Sequence, residues 1–440
     1  MSMVVAEIDW RQLYTFASRQ ALLGFCFDGI ERLTKEFSEE LKQNPMGRDL
    51  LMTWMGASQQ IRRQNMKVKA VAGKLYSKFR EDGLRCCILK GQGNALMYPN
   101  PYSRTPGDID AWVNASREEI TEYAKRYLNL EDDIRFHHLE TTMDGVPVEL
   151  HFFPCSMNNP IYHARLQKWF RRNADLQCSH IVGLPDGAGD IAIPTTAFNV
   201  VYQLTHLYHH FFDEGIGMKQ IIDYFLVVND FSKNVFLNTD LSNHPVNFSN
   251  HPVPLSKEGS TFSPSPSSSG SGDVTAPSRC SEPLRSKDGG PSKVSPDCAG
   301  WDRLAIEEDN SAVTSSASTA LVVVQRELKY LGLWKFAGAV MYVLKEVLGL
   351  AEDTMIVPVD EKRGRLLLAE ILDGGNFGRH FTKYAGFTHQ SMGKKYFLKI
   401  WRNMHFVRYY PAEALSEPIF RTWHFFWRLK HRRPSLGVFS

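Results

Sequence analysis

The sequence predicts an α+β protein, a small mixed-sheet core flanked by N-terminal and C-terminal helical regions. Three observations lead there. Short apolar runs separated by turn residues crowd residues 84–155. Stretches with apolar residues at helical spacing lie before and after them. A segment rich in Ser, Pro and Gly, residues 232–315, then parts the second helical stretch from a C-terminal one.

The bulk numbers agree. A chain of 440 residues can bury cores for two or three domains. Its 43% hydrophobic and 22% charged residues are ordinary for a globular protein. A net charge of +3 is too balanced to argue for nucleic-acid binding, although "WRLKHRRPS" at 427–435 is strongly basic. The 7 cysteines make no CxxC pair and no framework spacing, which suggests reduced thiols. No apolar stretch reaches the ~18 residues of a membrane span. The longest, "LWKFAGAVMYVLKEVLGL", is broken by Lys335, Lys345 and Glu346. The N-terminus has no basic region followed by an apolar run, so no signal peptide is expected and the expected location is cytoplasmic.

In chain order, residues 1–83 form an N-terminal helical region. "LLMTWMGASQQIRRQNMKVKAVAGKLYSKFREDG" reads as one long helix with Gly83 as its stop. Residues 84–155 form the α/β core. "RCCILK" and "DIDAWV" read as buried strands, and Cys86 and Cys87 pack there as small hydrophobes. "SREEITEYAKRYLNL" reads as a helix opened by a capping box of Ser116 and Glu119. Asp144-Gly145 between two strand-like runs predicts a hairpin. Residues 156–231 return to helix and pack on the core. The segment 232–315 has too few large apolar groups to offset its ordering entropy and reads as disordered. Residues 316–440 are a C-terminal helical region whose basic, aromatic end reads as a solvated amphipathic helix.

The stretch "LKGQGNALMYPNPYSRTPGDIDAWV" carries the chemistry. Asp108 and Asp110 are i and i+2 on an expected strand, so their carboxylates share a face. Such a pair repels itself unless a cation lies between, and a hard divalent ion such as Mg²⁺ suits it. Glu149 in "VPVELHF" is a third acid on another expected strand. Convergence of the three suits in-line phosphoryl or nucleotidyl transfer with two metal ions. The other reading of the acids is a pair of solvated strand faces. Gly91, Gln92 and Gly93 follow Lys90 at the end of an apolar strand, where backbone N–H groups can meet a phosphate. The turn is neither a Walker A loop nor a dinucleotide-binding fingerprint.

Strand, glycine turn, helix, an acidic pair on a strand and a later acid together resemble the polymerase-β-like nucleotidyltransferase superfamily. "LKG", "GDID", "VELHF" and "LYHHFFDEGIGMKQIIDY" look more closely like an uncharacterised bacterial nucleotidyltransferase family, over about residues 10–230. The resemblance implies a nucleotidyltransferase core that moves NMP from an NTP to an acceptor and releases pyrophosphate. It implies Asp108, Asp110 and Glu149 as metal ligands and catalytic groups, with Glu149 as the base. It places Gly91 and Gly93 on the phosphate-binding turn, where Lys90-Gly91-Gln92-Gly93 replaces the usual Gly-Ser, and it implies that Lys90, as a point charge, holds the triphosphate with the turn. The expected partners are an NTP and an acceptor of unknown kind: small molecule, glycan, protein or tRNA. Two other readings stay open, a non-catalytic nucleotide-binding module and a toxin-like transferase acting on tRNA or a partner protein.

Around this centre, Arg104 either binds a phosphate oxygen or clamps its loop to an acid. His151 shares a face with Glu149 and either orients it, contacts the substrate or is a satisfied strand histidine. His138 and Asp223 are further candidates for the site. His206 and His210 have a zinc-compatible spacing, but HExxH is not met and the pair is not read as a zinc site.

Overall fold

Residues 7–240, 316–381 and 392–431 are described by a computed structural model of the chain. Helix α1 (Trp10–Arg19) starts at Asp9, whose carboxylate accepts from the Arg11 and Gln12 N–H groups at 3.0 Å. Helices α2 (Leu23–Glu36) and α3 (Ser38–Gln43) lead to the long α4 (Arg48–Glu81). That helix ends before Gly83, which takes φ 78°, as the sequence predicts.

The core then follows as β1 (Cys86–Leu89), a short helix α5 (Gly91–Ala95), β2 (Ile109–Val113), α6 (Arg117–Tyr127), β3 (Asn129–Ile134), β4 (His138–Met143) and β5 (Val146–His151). Ser116 and Glu119 close the predicted capping box at the start of α6. Asp144 (φ 51°) and Gly145 (φ 70°) make the predicted hairpin turn between β4 and β5. Strand β3 is a departure from the sequence expectation, because the predicted helix continued through Leu130. Instead α6 stops at Tyr127, and Asn129 and Leu130 pair with Thr142 and Thr141 of β4. Ladder hydrogen bonds along that edge outweigh the local helical spacing.

The sheet has five strands in the order β1-β2-β5-β4-β3. Neighbours run antiparallel except β2 and β5, which are parallel. Side chains alternate between its faces. Cys86, Ile88, Ile109, Ala111, Val148 and Leu150 form one face and pack on Val71, Leu75 and Phe79 of α4. Cys87, Leu89 and Trp112 form the apolar part of the other face, within a second core. Cys86 and Cys87 are therefore buried in different cores, and burial pushes both thiols well up.

Helices cover the second face. Helix α7 (Pro160–Ser179) is followed by a two-stranded sheet of β6 (Ile181–Gly183) and β7 (Asp190–Ala192). These strands fall in a region expected to be helical, and at three residues each they are too short to show an alternating pattern. Helix α8 (Thr196–Asp213) packs Phe198 on Trp112 of the sheet, rings stacked at 6.1 Å. Helix α9 (Met218–Asp240) runs past the boundary expected at 232, where Ser232 continues the buried face of Val227, Val228 and Phe231. The disorder expected for the Ser/Pro/Gly-rich segment concerns residues 241–315, which lie outside the described residues.

The chain returns in α10 (Ser316–Tyr330), α11 (Trp334–Leu348), α12 (Glu361–Gly374), α13 (Met392–Met404) and α14 (Pro411–His431). Helix α11 is apolar because protein surrounds it: Phe336, Val340, Val343 and Leu344 are all buried. No helix among the described residues is long and apolar enough to cross a membrane. Buried Gln20 joins the two ends of the chain, donating to the Ile371 carbonyl at 3.1 Å and accepting from the Met218 N–H at 2.8 Å.

Helix α4 approaches the β6–β7 hairpin most closely at Gly73, where a Cβ would stand 1.9 Å from the Ala188 carbonyl oxygen. Overpacking of this kind costs about 1–3 kcal/mol. Gly73→Ala is therefore expected to lower unfolding stability by that amount in urea titration, whereas Gly29→Ala, with open space around it, should not.

Candidate active site

The site is built where β1 ends. Lys90 adopts φ 49°, ψ −132°, and Gly91 follows at φ 40°. Glycine takes such a turn freely, but for a lysine it is strained. The strain turns the Lys90 ammonium back across the sheet end, where it lies 3.0 Å from Asp110 Oδ1. Its second neighbour is His206 Nε2 of α8, 2.9 Å from Nζ. Lysine can only donate, so His206 accepts at Nε2.

Asp110 and Glu149 are register partners on the parallel strands β2 and β5. His151, two residues beyond Glu149, shares its face. Its Nε2 stands 3.0 Å from Asp110 Oδ1 and 3.3 Å from Glu149 Oε2. His138, the register partner of His151 on β4, places Nδ1 3.4 Å from Glu149 Oε2. Asp108 precedes β2 and is exposed at the mouth of the site. These groups line a cavity of about 730 Å³. Its far wall carries Arg135, Arg379, Lys399 and Arg402.

The charges are unevenly held. Burial works against ionised Asp110, but Lys90 and His151 outweigh it and hold the carboxyl below the usual range. Burial likewise opposes the charge on His151, yet its bonds to Asp110 and Glu149 push it up to about 9. The charge of Asp110, then burial and Glu149, push Asp108 up to about 6. Burial lowers the other histidines of the cavity: His138 to about 4, His210 to about 3, and His137 and His206 well below their ordinary value.

The glycine turn divides its roles. Gly91 borders a recess of about 70 Å³ beside Asp108 and Asp110. Gly93 does not reach this recess. It packs against Ile193, whose Cγ2 would lie 2.9 Å from an added Cβ. Gln92 is buried, its Oε1 without a hydrogen-bond partner among the described residues. Asn94 of α5 exchanges hydrogen bonds with Gln203 of α8 at 2.7 and 3.0 Å, which fastens the turn to the helical layer.

Arg104 and Asp223, both expected near the nucleotide, face each other. Arg104 Nε and Nη2 donate to the two Asp223 oxygens at 2.8 Å, and the Tyr98 hydroxyl donates at 2.8 Å to Oδ1. All three are buried. The pair clamps the loop before Asp108 onto α9. Lys219 was missed in the sequence. It borders the same recess as Gly91 and Asp108, and among the described residues it makes no ion pair or hydrogen bond. Burial, then Arg104, lower it to about 8. The signal was present as the i, i+4 spacing of Lys219 and Asp223 within an apolar helix.

A mixed sheet thus gathers carboxylates at the mouth of a polar cavity, beside a cation-bearing turn. The chain belongs to the family of uncharacterised nucleotidyltransferases, whose pattern it matches over residues 6–242. The crystal structure of an antigenic nucleotidyltransferase-like protein from Paracoccidioides brasiliensis is similar over 40% of this chain and 86% of that one. Its 17% identity and TM-score of 0.26 make that likeness too slight to bear on the site. No curated protein matches the chain.

Truncating Arg104 would leave Asp223 buried with its charge uncompensated. Removing one partner of a buried pair costs about 3–5 kcal/mol. Arg104→Ala is expected to lose stability in that range by chemical denaturation. The charge-neutral pair Arg104→Met with Asp223→Leu should recover most of it.

Proposed function

We propose that this chain transfers a nucleoside monophosphate from an NTP to an acceptor and releases pyrophosphate. The single observation that carries the reading is the in-register pairing of Asp110 with Glu149 at the cavity, with Asp108 set beside them. The donor set fits a divalent ion. The negative charge of Asp110, then burial and Glu149, lift the Asp108 carboxyl to about 6, and a cation between the carboxylates would relieve that repulsion. Asp108, Asp110 and Glu149 would hold it. Bound Mg²⁺ would supply charge neutralisation and polarisation of the phosphoryl oxygens.

The protein's own groups do the rest. Lys90 and His151 keep Asp110 ionised when no ion is present. Glu149 Oε2, ionised and aimed at the cavity, accepts the proton of the acceptor hydroxyl. The N–H groups of the Gly91 turn and the Lys219 ammonium border one recess and together receive the triphosphate. Lys90, engaged with Asp110 and His206, neutralises the carboxylate cluster and leaves the triphosphate to Lys219. The polymerase-β-like ancestry suggested by the strand, turn and acid order belongs to the same reading.

The test is incubation of the full chain with each labelled NTP and a cell extract, with and without Mg²⁺, followed by identification of the labelled product. Asp108→Asn should cut turnover by more than roughly 100-fold while leaving the fold intact. Undiminished turnover in that variant would sink the catalytic assignment.

Lys219 gives a separate measurement. A charge-assisted phosphate contact is worth about 1.5–3 kcal/mol, roughly ten- to a hundredfold in affinity. Lys219→Met should raise KM for the NTP by that factor. The lysine is charged below its lowered value and neutral above it. In the native chain, then, KM should be lowest below pH 8 and rise as pH passes through about 8. The variant should lack this rise. An equal rise in both would take Lys219 out of the triphosphate site.

A further inference from the structure

We propose that His137, His138 and His151 form a nitrogen-donor site for a divalent transition-metal ion of the zinc class. The site is separate in its ligands from the carboxylates assigned to the nucleotide's ion. The inference stands apart from the nucleotidyl-transfer reading, since it concerns metal binding and not turnover.

The geometry comes from the sheet. His138 and His151 are register partners on β4 and β5, with ring centroids 5.1 Å apart. His137 stands just before β4. Its carbonyl accepts from the Phe152 N–H at 2.9 Å, which holds it alongside the end of β5. Its ring lies 4.3 Å from that of His138 and 5.6 Å from that of His151. One ring nitrogen of each of the three lies within 4.8 Å of the other two. Zinc–nitrogen bonds of about 2.0–2.1 Å put ligand atoms roughly 3.4 Å apart in a tetrahedron, and the three nitrogens, within 4.8 Å of one another, would draw together on binding.

Unpaired nitrogens point the same way. His138 is 3% exposed, lines the cavity, and neither of its ring nitrogens has a hydrogen-bond partner among the described residues. Its nearest acceptors are Glu149 Oε2 at 3.4 Å and Glu140 Oε1 at 3.7 Å, outside hydrogen-bonding geometry. His151 is also 3% exposed, and its Nδ1 is buried without a hydrogen-bond partner among the described residues. Buried polar atoms are normally satisfied, and a cluster of orphaned imidazole nitrogens calls for an unseen partner. The far side of His151 completes the picture. Nε2 faces the carboxylates of Asp110 and Glu149. Metal-binding histidines usually donate their second N–H to a carboxylate in this way, which fixes the tautomer and raises ligand basicity.

The donor type selects the ion. Imidazole nitrogen favours zinc, cobalt or nickel over magnesium, which prefers oxygen and keeps its water. Three protein nitrogens facing a cavity leave a fourth position open to water or substrate. The second histidine cluster, His206 and His210, lacks this geometry. His206 Nε2 is engaged with Lys90 and with His210 Nε2 at 3.0 Å.

The test uses the full chain, stripped of metal, titrated with Zn²⁺ and separately with Mg²⁺ by calorimetry. A parallel titration with Co²⁺ is followed by visible absorption. One Zn²⁺ per chain should bind more than roughly 100-fold tighter than Mg²⁺, and Co²⁺ should give the intense visible bands of a tetrahedral nitrogen site. His138→Gln and His137→Ala should each weaken Zn²⁺ at least tenfold and remove the Co²⁺ bands. Asp108→Asn and His206→Ala should leave both unchanged. Melting curves in EDTA check that each variant folds, and a variant that does not fold is replaced by the other of the pair. Zn²⁺ binding lost with Asp108→Asn would place the ion on the carboxylates, and loss with His206→Ala would place it on α8. Either result, or no tight Zn²⁺ binding at all, overturns the proposal.

Discussion

Strands β2 and β5 run parallel, and Asp110 lies beside Glu149 for that reason. Parallel neighbours cannot be joined by a tight turn, so the chain must leave the sheet and return. Here the return path is α6, β3 and β4. It adds two strands at the edge and brings His138 opposite His151. One pairing thus places both carboxylates and two imidazoles on a single face. The opposite face is apolar throughout its middle strands and rests on α4. A one-residue slip of β2 against β5 would bury the acids against α4 and expose Ile109 and Ala111, which makes the register hard to change.

The electrostatics follow from that placement. Several acids at one sheet end would repel one another in a buried setting. Lys90 and His151 offset this for Asp110, and the strained turn at Lys90 is the cost of bringing an ammonium to the carboxylate from its own strand end. Asp108, at the rim, is left with its pKa raised.

The helical layer holds the site by a few buried polar links. Arg104 and Asp223 tie the loop before Asp108 to α9. Asn94 and Gln203 tie the glycine turn to α8. Asp213, at the end of α8, is paired at 3.1 Å with both Lys399 of α13 and Arg421 of α14. The buried carboxylate of Glu413 accepts from the Asn158 and Asn159 N–H groups ahead of α7. The C-terminal helices therefore help to close the cavity that the N-terminal half begins, and they supply Lys399 and Arg402 to its wall.

Local physics made much of this legible in the sequence. Gly83 ends α4 because only glycine takes its backbone angle cheaply, Ser116 and Glu119 cap α6, and Asp144-Gly145 turns the hairpin. The α+β class followed from such signals, and so did the candidacy of Asp110 and Glu149, whose i, i+2 neighbours fix the face they share. What lay beyond reach depended on distant partners. Strand β3 exists because β4 offers an edge, and β6 and β7 are too short to show a period. Arg104 could be a phosphate ligand or a clamp until Asp223 was found against it. Lys219 gained its place beside Asp108 only when α9 packed on the loop. His137 and His138 are adjacent in the chain, and only the β4–β5 register brings His151 to them. Turn and cap energies act within a few residues and can be read from them. Pairing, burial and charge compensation act between segments, and only the folded chain decides which segments meet.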